Sequence, residues 1–420
     1  MHRRDFLSHC SLCAAGAWLL ACDDDKRAAA DVFDSGSPSD ASETSDSAED
    51  VVDARPPDAT TPTCDEVLTD GTMIAVVAFD DEDVVFGRRS GAGWDGRRYT
   101  DLSVVPEVLK TPTDLFYLRT FFPDLLDTTQ AWQVTVDGLV DEPHTLSLAD
   151  LLAGPATPMG VHVLECSGNR RGAGFGLMSA ASWAGVRVMD VVARLGVKAS
   201  ATRLLVEGFD EHSVPSVGGH STPGASWVFS FEELEAAGAF FATEMNGHPL
   251  PPDHGEPLRL YVPGWYGCSC IKWVQRLVLV DEAEPATSQM REFASRTHQS
   301  GVPTLARDYQ PAMMDQAAMP VRIEKWRDAD DALVYRVLGV MWGGLSPTNA
   351  LVFEDGSGLS ETVDVCPPQT QNQLWTVWQH LWRPTSPGRY TLRMRIDDDT
   401  VRTRRLDLGF YERFVIADEV

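Results

Sequence analysis

The sequence predicts an α+β domain followed by an all-β sandwich, set behind an export leader and an acidic tether. Three observations carry this expectation. At 420 residues, 43% of them apolar, the chain has the length and apolar surface for two or three domains with cores of their own. Up to about residue 290, strand-like and helix-like runs mix without strict alternation, which points to α+β and away from a doubly wound sheet. From Val302 onward, strand-like runs recur between Gly, Pro and Asp turns over roughly a hundred residues, the texture of a β-sandwich.

The first element is the leader, residues 1–22. Arg3-Arg4 followed by Phe6-Leu7 and a short apolar run resembles a twin-arginine export signal, and Leu19-Leu-Ala-Cys22 resembles a lipobox ending in a lipidated cysteine. The protein is therefore expected in the periplasm or cell envelope, anchored through lipid on Cys22. Residues 23–63 carry twelve acidic residues against Lys26, Arg27 and Arg55 and few apolar ones. Such a stretch buries too little surface to offset its ordering entropy, so a disordered linker is expected. The whole chain has a net charge of −27. That charge disfavours nucleic acid as a partner and means that any anionic ligand needs local Arg or Lys.

In the folded body, Ile74–Ala78 and Trp132–Val136 read as strands and Ser147–Ala153 as a helix. Val161–Leu164 reads as a buried strand, Arg187–Leu195 as a helix and Arg203–Phe209 as a strand. Ser230-Phe-Glu-Glu233 is a capping box opening a helix. Leu258–Val262 and Trp273–Val280 return to strand. In the sandwich, strands are expected at 321–324, 334–342, 350–353, 374–378, 389–396 and 404–410, with Glu354-Asp-Gly-Ser357 as a hairpin turn. Trp342, Trp375, Trp378 and Trp382 read as core packing ahead of an interface.

Cysteines fall at 10, 13, 22, 64, 166, 268, 270 and 366. Cys64 and Cys366 are candidates for a disulfide across the body; Cys268-Ser-Cys270 is too tight for an unstrained one. Cys166 has the most unusual setting, Val163-Leu-Glu-Cys-Ser-Gly-Asn-Arg-Arg171: a thiol at the end of a buried strand, followed by a glycine and two arginines. An electropositive turn favours the thiolate, a nucleophile and soft metal ligand. Taken alone, these residues fit either a reactive or metal-binding thiol or a buried thiol beside surface arginines. About ninety residues downstream, Gly-Pro loops bracket His254, Arg259 and Lys272, a composition suited to cradling a large anionic cofactor. A zinc site from Cys166, Cys268, Cys270 and His254 is disfavoured by the adjacent cations.

Leu164-Glu-Cys-Ser-Gly-Asn-Arg-Arg171, Glu244-Met-Asn-Gly247, Asp253-His-Gly-Glu-Pro-Leu-Arg259, Val262-Pro-Gly264 and Ile271-Lys-Trp273 together resemble the molybdopterin domain of the sulfite oxidase family. The resemblance covers roughly Asp114 to Val280, and the C-terminal sandwich resembles the family's immunoglobulin-like dimerisation domain. It implies an α+β, sulfite oxidase-like molybdopterin-binding domain over residues 64–290 and an immunoglobulin-like sandwich over residues 303–420, with a homodimer formed through the latter.

The resemblance also implies roles. Cys166 is the thiolate ligand of a molybdenum held by a pterin dithiolene. Arg119 and Arg171 clamp the substrate oxyanion, and Asn169 lines the metal side. Thr120, His254, Arg259, Gly267, Ser269 and Lys272 contact the cofactor. No haem domain or Cys-x-x-Cys-His follows the leader, so a separate electron carrier, a cytochrome or similar, is expected. The pattern has departures. The family's Arg-Asn-His is Arg119-Thr-Phe121 here, a loop histidine is Cys270, and the turn after Cys166 is short and lacks a pocket tryptophan. Between Glu207 and Met245 there is no tyrosine, leaving Trp227 or His220 to fill the space. The expected activity is oxygen-atom transfer on a small sulfur oxyanion, sulfite the leading candidate. The alternatives are reduction of S- or N-oxides such as oxidised methionine, and a non-catalytic binding lipoprotein.

Overall fold

A computed structural model describes residues 71–80, 84–106, 108–215, 225–346, 348–365 and 374–420. The leader, the tether, Cys22, Cys64, Cys366 and His220 lie outside the described residues. The molecule is mostly strand with short helices: a mixed domain that carries the candidate cofactor residues, and a C-terminal β-sandwich. No helix among the described residues is long and apolar enough to cross a membrane.

The mixed domain contains two five-stranded sheets. One runs in the order Ser226–Ser230, Arg203–Gly208, Val274–Val280, Gln133–Gly138, His144–Ser147, with a parallel pairing between Val274–Val280 and Gln133–Gly138. The other contains Thr157–Glu165, Met178–Arg187, Phe240–Met245 and His248–Pro249, with Arg259–Tyr261 pairing onto Phe240–Met245. Helix starts follow their sequence signals. Ser147 and Ser230 both form reciprocal capping boxes, with Asp150 and Glu233, opening Leu148–Leu152 and Phe231–Ala237. A small third sheet joins Arg89–Ser90, Arg97–Arg98 and Leu118–Arg119, and sets Arg97 opposite Arg119.

The sandwich stacks Thr72–Val77, Ala317–Arg327, Leu333–Trp342 and Thr376–Trp382 in one sheet, and Ser360–Val363, Leu351–Glu354, Gly388–Ile396 and Arg413–Ala417 in the other. The Glu354-Asp-Gly-Ser turn closes a hairpin that pairs Glu354 with Ser360. The four tryptophans are fully buried in the core. Two features differ from the sequence expectation. Thr72–Val77, although N-terminal, pairs with Ala317–Arg327 in the sandwich sheet. The strand expected at 404–410 is instead a short helix, Arg404–Asp407, and the chain's last strand is Arg413–Ala417. Asp315, buried beneath this segment, accepts from Nε and Nη2 of Arg404 at 2.6 and 3.0 Å, a tertiary pairing that outweighs a weak strand pattern.

One hairpin, Thr157–Glu165 with Met178–Arg187, is the wall between the two cores. Val163, Met178 and Ala180 face the sandwich core, while Leu164, Cys166 and Ala181 belong to the core of the mixed domain. Burial on both faces accounts for the adjacent Val163 and Leu164, with His162 buried beside them. The sandwich also grips the end of this strand. Buried Glu165 accepts from the Tyr411 hydroxyl at 2.7 Å, Trp342 Nε1 at 3.0 Å and Asn169 Nδ2 at 3.2 Å, with Arg405 Nη1 at 3.5 Å. Arg405 Nη2 donates to the Ser167 carbonyl at 2.6 Å. Removing one partner of a buried pair strands the other charge, so Arg405→Met is expected to cost about 3–5 kcal/mol of stability in chemical denaturation. Glu165→Gln should also destabilise, since Tyr411 and Trp342 donate to different carboxylate oxygens and the amide keeps an acceptor for only one of them.

Candidate active site

Cys166 ends the buried strand as a free thiol, 8% exposed. The Gly168 N–H points back at its sulfur at 3.4 Å. The turn is closed by its own bonds: Asn169 N to the Cys166 carbonyl at 2.8 Å, Leu177 N to Asn169 Oδ1 at 3.1 Å, and Cys166 N to the Leu177 carbonyl at 2.9 Å. Asn169 therefore shapes the turn with its amide instead of presenting it outward. Ala173 ends the short Arg171–Ala173 helix, and Gly174 and Phe175 that follow are both left-handed, at φ 53° and 56°. Gly174 meets the Val84 and Phe86 side chains so closely that a Cβ would clash.

A cationic cradle lies beside this turn. Lys272 Nζ donates to the carbonyls of Thr120 at 2.7 Å, Asp253 at 2.9 Å and Arg119 at 3.3 Å. Thr120 is left-handed at φ 70°, which turns its carbonyl to that ammonium, and its hydroxyl bonds the Trp94 carbonyl at 3.1 Å. Arg119 donates to the same Trp94 carbonyl. Arg259 Nη1 donates to the His254 carbonyl at 3.2 Å, and its guanidinium lies 5.6 Å from the Trp183 ring. His254 packs edge-on to Phe116 at 5.4 Å, with Arg98 Nη2 3.4 Å from its Nε2. Burial pulls the Lys272 ammonium down to about 7, helped by Arg259. Burial, then Arg259, Lys272 and Arg98, holds His254 well below its usual value and therefore neutral. Arg119 is also lowered, by burial first and Arg97 next, with Cys166 acting the other way. Tyr117 is pushed up by burial and then by Cys166.

The fold thus gathers Cys166, Arg119, Thr120, His254, Arg259 and Lys272 around one site. Other sequence-predicted residues serve the frame. Arg171 Nη2 donates to the Glu412 carbonyl at 3.2 Å, and its guanidinium lies 4.2 Å from the Phe414 ring, both on the C-terminal segment. Ser269 is fully buried, with its hydroxyl on the Tyr266 carbonyl at 2.8 Å. Gly267 makes room for the Tyr117 hydroxyl, 2.8 Å from where a Cβ would stand. Trp227 is a core residue. Sequence reasoning missed Arg97, Arg98, Trp94 and Arg296. The pair Arg97-Arg98 in Gly-Trp-Asp-Gly-Arg-Arg-Tyr, basic and glycine-flanked in an acidic chain, was a usable signal; nothing local marked Arg296.

The two main departures from the family pattern are absorbed by packing. Phe121 lies 4.0 Å beneath the Arg89 guanidinium, on a face kept open by Gly96. Cys270 exchanges contacts with the Val262 backbone, and burial keeps its thiol protonated. Burial likewise pushes the Cys268 thiol up to about 12.

These residues fit a large anion with a metal of its own ligation. Buried Arg259 Nε has no acceptor among the described residues, and the depressed Lys272 and His254 mark an excess of buried positive charge that an anion relieves. Among the described residues no three His, Cys, Asp or Glu side chains converge. A metal bound at Cys166 would have to take its remaining ligands from a cofactor.

Residues 122–288 match the family described as the oxidoreductase molybdopterin binding domain. These residues carry a molybdopterin binding domain. Mitochondrial sulfite oxidase of Mus musculus is 29% identical over 305 residues, covering 65% of this chain and 54% of that protein. The NAD(P)H nitrate reductase of Hordeum vulgare is 34% identical over 183 residues, 40% of this chain and 20% of that protein. The chain thus spans about half the length of the sulfite oxidase relatives it matches. Among solved structures, the sulfane dehydrogenase SoxCD of Paracoccus pantotrophus aligns with a TM-score of 0.56 at 20% identity, covering 77% of this chain and 82% of that one. That likeness shows a shared fold. The cofactor of such a domain is molybdopterin. In this chain Cys166 would ligate its molybdenum, and Arg259, Lys272 and His254 would hold its anionic pterin portion.

Proposed function

We propose that the protein is a molybdenum-dependent oxidoreductase acting on a small sulfur oxyanion, with sulfite the leading substrate. The observation that carries this reading is the placement of Arg119, a half-buried guanidinium, in the field of the Cys166 thiol. When bound, the molybdenum-pterin group supplies two-electron oxygen-atom transfer; the protein supplies binding, orientation and electrostatics. Cys166 would hold the metal at the end of a strand gripped by two cores. Arg119, held by the Trp94 carbonyl, offers an anionic substrate a fixed positive charge. His254, neutral, can donate or accept a hydrogen bond toward the pterin, and Lys272 and Arg259 balance its charge.

Electrons pass to a separate carrier, and the protein works as a homodimer through its sandwich. We further place it in the periplasm or cell envelope, exported by the twin-arginine leader and tethered by lipid on Cys22. The runner-up, reduction of an S- or N-oxide, is favoured by the short Gly172-Ala-Gly-Phe-Gly176 turn, which leaves out a pocket tryptophan. A direct test is sulfite-dependent reduction of an artificial acceptor by molybdenum-loaded protein. Turnover supports the oxyanion reading. No turnover with sulfite, alongside reduction of methionine sulfoxide by a dithionite-reduced dye, overturns it in favour of the runner-up.

A further inference from the structure

We propose that Arg296, on the segment joining the mixed domain to the sandwich, is a substrate-binding cation that holds the oxyanion together with Arg119. The inference rests on the oxyanion reading above and names the residue that selects for doubly charged substrates.

The placement follows from Gly168. A Cβ built there would lie 3.7 Å from Cys166 Sγ and 3.9 Å from Arg296 Nη1, so the guanidinium reaches over the bare face of the Gly168 turn toward the sulfur. The segment is held in register with that turn by one buried side chain. Arg405 Nη2 donates to the Ser167 carbonyl at 2.6 Å and to the Arg296 carbonyl at 3.2 Å. Thr297, buried next door, bonds back to the Phe293 carbonyl at 3.0 Å and fixes the short Ser295–Thr297 helix.

Neighbouring arginines are committed elsewhere. Arg404 is spent on Asp315, Arg405 on Glu165 and backbone carbonyls, and Arg171 reaches the C-terminal strand. Arg296 is exposed, and among the described residues its guanidinium makes no ion pair and lies 5.3 Å from the Phe293 ring. It is therefore available to an anion arriving from solvent. Arg296 also weighs on Arg119, lowering it further after burial and Arg97. Positive groups that repel one another in the free protein bind a dianion more strongly than a monoanion or a neutral oxide, because each added charge relieves the repulsion. In a chain of net charge −27, such local cations decide whether an anion approaches at all.

The test uses molybdenum-loaded protein, with sulfate as the probe in titration calorimetry and sulfite in steady-state turnover. Arg296→Gln should weaken sulfate binding about tenfold, the scale of one charge-assisted contact. It should raise KM for sulfite while kcat and molybdenum content stay near wild type, and Arg296→Lys should recover part of the loss. Unchanged sulfate affinity and KM in Arg296→Gln, with wild-type protein binding sulfate, overturns the role of Arg296 alone. Loss of molybdenum in step with affinity also overturns it, since that marks a structural residue. Loaded wild-type protein that neither binds sulfate nor oxidises sulfite overturns the oxyanion reading and this inference together.

Discussion

Cys166→Ser is expected to lower turnover by at least about a thousandfold, while the protein folds and melts nearly as wild type. The loss follows from chemistry at one atom. A thiolate is a soft ligand available near neutral pH; a serine hydroxyl is harder and remains protonated, so it cannot replace sulfur on the metal. Folding should survive because the substitution is close to isosteric and the turn is held by groups other than the thiol. The Gly168 N–H keeps an acceptor, and Glu165, Asn169 and Leu177 close the turn as before. Circular dichroism and thermal melting check the fold; turnover checks the ligand. Cys270→Ser serves as the contrast. Its thiol packs against the Val262 backbone, so that substitution should change stability more than turnover.

Lys272→Met is expected to empty most of the protein of molybdenum cofactor, by roughly fivefold or more, because it removes a buried positive charge from the cradle proposed for the anionic pterin. The same variant carries a pH signature in cofactor-free protein. Three carbonyl acceptors support the ammonium, but burial outweighs them and brings its pKa to about 7 in the folded state. The group titrates at its ordinary, higher value when unfolded. Between those two values the unfolded chain holds a proton that the folded chain lacks, so stability rises with pH there and is lost as pH falls toward 7. His254, also depressed, adds the same sign below its ordinary value of about 6.5. Cofactor-free protein should therefore melt at a higher temperature at pH 8.5 than at pH 6. Lys272→Met should flatten this slope between pH 7 and 9. Cofactor loading, by adding negative charge, should restore the ammonium and take up a proton. Melting curves across this pH range with equal slopes in wild type and variant would show that Lys272 is not buried as a charge.

Much of this site was legible in the sequence because its chemistry is carried by local motifs. Leu164-Glu-Cys-Ser-Gly-Asn placed the thiol at the end of a buried strand, and Asp253-His-Gly with Arg259 and Lys272 placed the cradle, since each motif keeps its residues within one turn or hairpin. The capping boxes at Ser147 and Ser230 were legible for the same reason. What escaped depends on tertiary contact. Arg296 comes near Cys166 because Arg405, more than a hundred residues later in the chain, ties both backbones. Arg97 and Arg98 enter through a three-stranded sheet with Leu118–Arg119. Asn169, Ser269 and Arg171 carry polar groups of the expected kind, yet the structure uses them for the turn, the Tyr266 carbonyl and the C-terminal segment. Sequence shows which donors exist; packing decides which remain for a ligand. The helix at Arg404–Asp407 was missed because its cause, the buried Asp315, lies in another part of the chain.

The central claim is that Cys166 and the cationic cradle hold a molybdenum cofactor. Its most direct test is the metal content of wild-type protein purified from a host that makes and inserts molybdopterin, measured by mass spectrometry of the metal against protein concentration. About one molybdenum atom per chain is expected, with the Cys166→Ser protein inactive. Folded wild-type protein from that host without molybdenum would contradict the claim.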